Sequence, residues 1–172
     1  YLMAAIGLMW FKVYHPAVFY AVYFTVRGAD IDYEAAVGGV RVAKEHLRDN
    51  ERIPKEERTA KDDDALVSLQ LENEMLQRGC QFLPIELGKS RASKYLVEDG
   101  KVRLPFTALR GLGESAAIAL EEATIHGQEY ISIEELQQAS GVSQSIFDKL
   151  RSVGALGNLP ETSQVDFFSM MG

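Results

Sequence analysis

The chain has 172 residues, of which 47% are hydrophobic and 25% are charged, and its formal net charge is −7. This length allows one ordinary domain or two small ones, and the hydrophobic content excludes a disordered chain. The acidic balance excludes a protein coated with basic surface, and the single cysteine excludes an internal disulfide and a cysteine zinc cluster.

The N-terminal segment, residues 1–26, is strongly apolar and shows no strand-like alternation, which predicts two buried helices separated at Pro16. Lys12 and His15 also interrupt the run before it reaches the roughly 20 apolar residues that a membrane span needs, so no membrane association is expected. Because the chain begins abruptly inside an apolar helix, we expect it to be a fragment of a longer protein.

The next segment predicts a third helix over residues 33–47, for which Asp32 is suited as the N-terminal cap. Residues 48–64 are rich in alternating charge and predict an exposed loop. Asp62 and Asp64 at the end of that loop invite a Mg²⁺ interpretation, because paired carboxylates bind this ion. Capping of the helix that follows is the favoured interpretation, since no strand places the two carboxylates in a buried cleft.

The middle of the chain predicts a small sheet of two or three strands. Residues 81–87 are strand-like, and residues 95–97 and 102–104 flank Asp99-Gly100. Asp-Gly between two alternating runs is a strong signal for a β-hairpin.

The sharpest local signal lies in residues 105–117, where two short helices are joined by Gly111-Leu112-Gly113. The glycines permit positive φ and a close backbone approach, and Leu112 is expected to point inward. Since the second helix starts at once, its free N–H groups and the positive end of its dipole face outward and can hold a phosphate. The plain alternative is a packing turn without a ligand. The predicted DNA contacts here are Arg110, Gly111, Leu112, Gly113, Glu114 and Ser115.

Basic side chains are concentrated just before this turn, where they outnumber the acidic Glu98 and Asp99. Clustering of this kind is the expected footprint of a contact with a nucleic-acid backbone. It answers the objection that an acidic chain is a poor DNA binder, because the contact is local. Lys101 and Arg103 are therefore added to the predicted DNA contacts. The basic residues of the window are Lys89, Arg91, Lys94, Lys101, Arg103 and Arg110.

A second, weaker copy of the helical hairpin follows. Ser132 opens a helix in a capping box, and Gly141-Val142-Ser143 makes the turn to the next helix. Because Ser143 replaces the second glycine, we expect this copy to be mainly structural. The C-terminal tail then carries Gln164-Val165-Asp166-Phe167-Phe168, a short peptide whose aromatic anchors could fill a pocket on a partner. A frayed terminus whose hydrophobic side chains fold back is the equal alternative.

Taken together, these segments resemble the C-terminal end of the α subunit of bacterial replicative DNA polymerase III, of the PolC type of Gram-positive bacteria. Their order and spacing agree with that family as well as the single motifs. The segments that carry the resemblance are Trp10–Pro16 with Phe19–Thr25 (end of the fingers region), Gly79–Ser90 (a following signature), Pro105–Gly113 (the helix-hairpin-helix) and Gln164–Phe168 (the sliding-clamp peptide).

The resemblance implies a mainly α fold with a small β-hairpin or sheet. A helical distal fingers region would occupy residues 1–87, a duplex-binding domain with tandem helix-hairpin-helix units residues 88–160, and a clamp-binding tail residues 161–172. The palm with its catalytic aspartates would lie upstream, so this piece is expected to have no catalytic residue, metal ligand or cofactor and to be inactive. The parent DNA polymerase would use Mg²⁺ in the cytoplasm, and a monovalent cation at the hairpin is a further expectation.

The partners that the resemblance implies are double-stranded DNA, the β sliding clamp and the remainder of the polymerase chain. Two alternatives stay open from the residues. One is a helix-hairpin-helix accessory domain of a DNA-repair protein, because such proteins use the same unit. The other is a helical protein-interaction domain that binds no nucleic acid, in which both hairpins only pack.

Overall fold

The computed structural model describes residues 1–27 and 30–162, and within them it confirms a mainly α fold with a small sheet. The 3₁₀ turn Phe106–Ala108 precedes the first hairpin loop. The helices are α1 (Leu2–Tyr14), α2 (Pro16–Arg27), α3 (Tyr33–Glu51), α4 (Ala60–Gln77), α5 (Glu114–Thr124), α6 (Ile133–Ser140) and α7 (Gln144–Ser152). The strands are β1 (Phe82–Leu83), β2 (Leu96–Glu98) and β3 (Lys101–Arg103).

The three strands form one sheet in the order β1-β3-β2, with β1 parallel and β2 antiparallel to β3. Asp99 and Gly100 both adopt positive φ, at 50° and 73°, as the two-residue turn of a tight hairpin requires. The predicted hairpin is confirmed, whereas the predicted strand over residues 81–87 is reduced to β1. Because β1 pairs with β3, the sheet continues across the domain boundary that the sequence suggests after residue 87.

The core lies between α2, the sheet and the helices that follow it. The Phe24 ring of α2 stands 5.8 Å from that of Phe82 and 5.5 Å from that of Tyr95, measured between ring centroids. Among the helices that follow the sheet along the chain, Leu120 of α5 and Phe147 of α7 have no exposed surface. One continuous cluster of buried side chains thus joins α2, α3 and α4 to the hairpin region.

Helix α1 differs from the prediction of two buried N-terminal helices. None of its residues is buried, while α2 buries four. Its principal packing neighbour is α2, and Lys12 ties it to Glu74 of α4 with a 2.5 Å ion pair. No single helix of residues 1–27 and 30–162 is long and apolar enough to cross a membrane. The pair α1 and α2 meets the length and composition test together, but the two helices are bent by 119°.

The segment between α3 and α4 also corrects the sequence prediction. Helix α3 continues to Glu51, and α4 already begins at Ala60, so the loop is shorter than residues 48–64. Asp32 caps α3 as predicted, by accepting a hydrogen bond from the Ala35 N–H at 3.0 Å. Helix α3 is nevertheless bent, because Gly39 within it has φ +80° and ψ −171°, which is outside the helical region.

Candidate nucleic-acid interface

The first hairpin turn has the conformation that its glycines allow. Gly111 has φ +83°, a backbone shape that glycine adopts most readily. Leu112 is buried at 5% exposure, and its N–H donates to the Leu109 carbonyl at 3.0 Å. Gly113 follows with φ −72° and ψ 160° and is the N-terminal cap residue of α5. The inward position of Leu112 is thus confirmed, while positive φ belongs to Gly111 alone.

Free amides at the start of α5 follow Leu112. The first internal bond of α5 that reaches back to the turn runs from the Ala117 N–H to the Gly113 carbonyl at 3.0 Å, and no side chain caps the helix. The N–H groups of Gly113, Glu114 and Ser115 therefore have no acceptor among residues 1–27 and 30–162, and all three residues are exposed. Leu112, which the sequence places among the DNA contacts, does not offer its amide, since this N–H is used inside the turn.

The open end of α5 contrasts with other helices of the chain. Asp32 caps α3, Thr59 caps α4 and Ser132 caps α6, each with a side-chain oxygen that accepts a backbone N–H. Such a cap stabilises a helix by roughly 1 kcal/mol. At α5 a glycine occupies the same position, so the positive end of the helix dipole and its donors are left to solvent or to an anion.

The second hairpin repeats the backbone of the first. Gly141 has φ +68°, Val142 is 6% exposed, and Ser143, at the N-cap position of α7, has φ −68° and ψ 151°. The Ser143 side chain accepts no backbone N–H of α7, and its Oγ lies 3.1 Å from the Oγ of Ser145. The prediction of two tandem hairpins is confirmed by this agreement. Replacement of the second glycine by serine leaves the turn geometry unchanged.

Arg103, which the sequence places among the DNA contacts, is a structural residue. Its side chain is 4% exposed. Its guanidinium donates to Glu98 at 2.7 and 2.9 Å, to Glu86 at 3.2 Å and to the Pro84 carbonyl at 3.0 Å. The hydrogen bond from Arg103 lowers the pKa of Glu98. A buried guanidinium with these partners is not available to a phosphate, so Arg103 is withdrawn from the interface.

The other basic residues of the predicted window divide into two groups. Lys89 pairs with Glu86 at 3.0 Å, and Arg91 pairs with Glu121 at 3.0 Å, so their charges are compensated. The exposed members that form no ion pair within the described part of the chain are Lys94, Lys101 and Arg110. Of these, Arg110 directly precedes the hairpin turn. The local excess of positive charge is therefore smaller than composition suggests.

A lysine that the sequence did not single out lies at the first turn. Lys149 on α7 brings its Nζ against Gly111, so closely that a methyl group on Gly111 would collide with it. The contact joins the two hairpins, which no local pattern reveals. Only the tandem repeat hints that one hairpin could reach the turn of the other.

A cleft of about 970 Å³ runs beside the first turn. Arg110, Gly111 and Glu114 line one part of it, and His46 of α3 and Lys61 of α4 line another. His46 is bonded to Asp32 through Nδ1 at 2.7 Å, and this bond raises the pKa of the imidazole. Residues of the first turn and of α3 and α4 therefore border the same cleft.

A buried carboxyl of α4 contacts the start of α3, and the apolar pattern of α4 did not reveal it. Glu72 has no exposed surface, and its Oε1 accepts a hydrogen bond from the Asp32 N–H at 2.8 Å. Its Oε2 has no partner among the described residues. Burial raises the pKa of Glu72 to about 9, so the side chain is neutral at physiological pH.

The two aspartates that invited a metal interpretation belong to a helix start. Asp62 accepts from the Thr59 N–H at 2.8 Å, and its own N–H donates to Thr59 Oγ1 at 3.3 Å, which completes a capping box. Capping is thus confirmed for Asp62, with Thr59 as the cap residue. Within residues 1–27 and 30–162 no group of three or more His, Cys, Asp or Glu side chains is placed to hold a metal ion. A monovalent cation at the hairpin stays a prediction.

The predicted clamp-binding peptide lies outside the described residues. It comprises Gln164, Val165, Asp166, Phe167 and Phe168.

Comparison with known proteins places the chain in a family. A family model described as a helix-hairpin-helix motif matches residues 79–164, which is half of the chain. Proteins named DNA polymerase III PolC-type are 36% identical over 169 residues in Streptococcus thermophilus and 35% identical over 171 residues in Thermotoga maritima. These alignments cover 98% of this chain and 12% of either relative. The chain therefore belongs to the helix-hairpin-helix motif family and is homologous to a part of PolC-type DNA polymerase III.

Proposed function

We propose that this chain is the part of a replicative DNA polymerase that holds duplex DNA by sequence-independent phosphate contacts and tethers the enzyme to a sliding clamp. The observation that carries the first half is the uncapped start of α5, where three exposed amides without an acceptor follow a Gly111 turn with positive φ. The homology to PolC-type polymerases over nearly the whole chain supplies the context.

Phosphate binding at this turn relies mainly on backbone groups. Donors fixed at a helix start bind an anion without the entropic cost of ordering a long side chain. This suits a chain of net charge −7, in which half of the predicted basic window is already ion-paired. Backbone amides also carry no base preference, which matches the need of a polymerase to hold any sequence.

The activity of the parent enzyme is part of the same proposal. We propose that it is a DNA-directed DNA polymerase that uses Mg²⁺ in the cytoplasm, with its catalytic carboxylates on another part of the protein. This chain spans 12% of such relatives, and it is expected to be inactive by itself. The exposed apolar surface of α1 is where we expect the remainder of the polymerase chain to pack.

The test of duplex binding is Gly113→Ala. Gly113 has ordinary φ, and nothing lies within 4 Å of the methyl group that alanine would add, so the fold should tolerate it. The methyl group would stand beside the free amides and hinder a phosphate. We expect affinity for duplexes of unrelated sequence to fall about equally, by about tenfold, which is the value of one hydrogen bond to a charged group.

The matched control is Gly7→Ala, on exposed α1, where the added methyl group also meets nothing within 4 Å. It should bind duplex like the native chain. Gly111→Ala is a poorer probe, since strain at φ +83° and the collision with Lys149 would both disturb the turn. Native affinity in folded Gly113→Ala would refute the phosphate site. Loss of affinity for one sequence alone would argue against a backbone contact.

Clamp binding is tested on the tail. We expect Gln164→Ala combined with Phe168→Ala to abolish binding of the chain to purified β clamp, because both anchors of the peptide are removed. The matched control is Ser169→Ala combined with Met171→Ala, just beyond the peptide. Binding that survives the first pair of substitutions would show that the clamp contact lies elsewhere.

A further inference from the structure

Lys149 lies against the first turn, although no ion pair in the described part of the chain holds its side chain there. Lys149 is exposed on α7, and no carboxylate among residues 1–27 and 30–162 forms an ion pair with it. Its neighbours on the same helix are engaged, since Arg151 pairs with Glu161 and Asp148 accepts from Gln144 at 3.2 Å. The ammonium group nonetheless lies against the backbone of Gly111.

We propose that Lys149 of the second hairpin binds the same DNA phosphate as the amides of the first. This inference rests on the proposed function. Gly111 lies two residues before the first of the free amides, those of Gly113, Glu114 and Ser115, and the Lys149 ammonium already stands against it. This ammonium would add a point charge to a set of fixed hydrogen-bond donors, which is the usual division of labour at phosphate sites.

The assignment gives the second hairpin a role beyond packing. Its turn has the same backbone conformation as the first, yet its principal contribution to DNA binding is the Lys149 ammonium group, which lies at the first turn. Gly111 then serves two purposes, because its φ is +83° and because any side chain there would occupy the place of the Lys149 ammonium. The exposed Glu114 carboxylate at the start of α5 makes a positive partner at this turn more useful.

The experiment measures duplex affinity across a salt series with fluorescence anisotropy. Lys149→Met keeps the alkyl stem and removes the charge, and Lys149→Arg keeps the charge. Lys44→Met is the matched control, since Lys44 is an exposed lysine of α3 without an ion pair in the described chain. We expect Lys149→Met to reduce the slope of log affinity against log salt by about 0.9, the value of one phosphate contact.

The change in slope also sets how the ratio of the two affinities, native chain over Lys149→Met, varies with salt. Between about 50 and 200 mM salt, the affinity advantage of the native chain over Lys149→Met should shrink by about threefold. Lys149→Arg and Lys44→Met should retain the native slope. Should Lys149→Met fail to fold, Lys149→Gln takes its place.

The outcomes separate this inference from the proposed function. If the native chain shows no salt-dependent duplex binding, the proposed function fails. If the native chain binds and folded Lys149→Met keeps the native slope, the function stands and the role of Lys149 is overturned. An equal loss of slope in Lys44→Met would also overturn it, because the effect would then be one of overall charge.

Discussion

Replacement of the buried Glu72 by glutamine should remove a pH dependence from the stability of the chain. Burial raises the pKa of Glu72 to about 9, from an ordinary value of 4.5. Between those values the folded chain keeps a proton that the unfolded chain releases. The stabilising contribution is therefore complete below pH 4.5 and is lost as the pH rises toward 9.

The size of this pH dependence follows from the one proton that the folded chain binds and the unfolded chain releases. Within this window the folding equilibrium constant should fall about tenfold per pH unit, or about a hundredfold from pH 6 to pH 8. Glu72→Gln stays neutral, and its amide oxygen can still accept the Asp32 N–H that Oε1 accepts at 2.8 Å. The folding equilibrium constant of the variant should therefore not fall in this way. Its ratio to the constant of the native chain should rise about a hundredfold from pH 6 to pH 8.

The assay is urea unfolding followed by circular dichroism at pH 6, 7 and 8, with native chain, Glu72→Gln and a control compared at each pH. Groups that titrate in all three proteins cancel in the comparison. The control is Glu56→Gln, an exposed carboxylate in the loop between α3 and α4, which should parallel the native chain. Parallel pH profiles for the native chain and Glu72→Gln would show that the Glu72 carboxyl titrates alike in the folded and unfolded states, which contradicts a raised pKa.

Two further predictions concern residues around the interface. Arg103→Met should lower the free energy of unfolding by about 2 kcal/mol through its lost hydrogen bonds, yet leave the salt slope of duplex binding unchanged. A slope reduced by about 0.9 would instead reveal a phosphate contact. The hydrogen bond with Asp32 raises the pKa of His46 above 6.5, so its contribution to stability is complete below pH 6.5 and is lost as the pH rises through the folded value. An NMR titration should show this pKa falling in Asp32→Asn, and an unchanged pKa would contradict the assignment.

Local chemistry made much of the fold predictable. Asp99-Gly100 marked the hairpin, because few other pairs accept positive φ twice, and Pro16 marked the start of α2. The exposure of α1 could not be predicted. An apolar composition indicates that a helix packs against other residues, but it does not identify those residues. The bend in α3 was missed because glycine within a helical pattern usually costs stability without breaking the helix.

The candidate site was predictable where it depends on consecutive residues. Gly111-Leu112-Gly113 before a helix specifies its own turn, and the structure has that turn open. The side chains around it depend on tertiary neighbours. Arg103 looked free because Glu98 and Glu86 approach it only once the sheet has formed, and Lys149 reaches the turn from the other hairpin. Basic composition therefore counted Arg103 among the free charges, although the folded chain pairs it with Glu86 and Glu98.

The most direct test of the central claim is an amide chemical-shift titration of the isotopically labelled chain with two short duplexes of unrelated sequence. We expect the largest shifts, for either duplex, to fall on the free amides of Gly113, Glu114 and Ser115 and to diminish as salt is raised. Shifts that leave these three amides untouched while duplex still binds would contradict that claim.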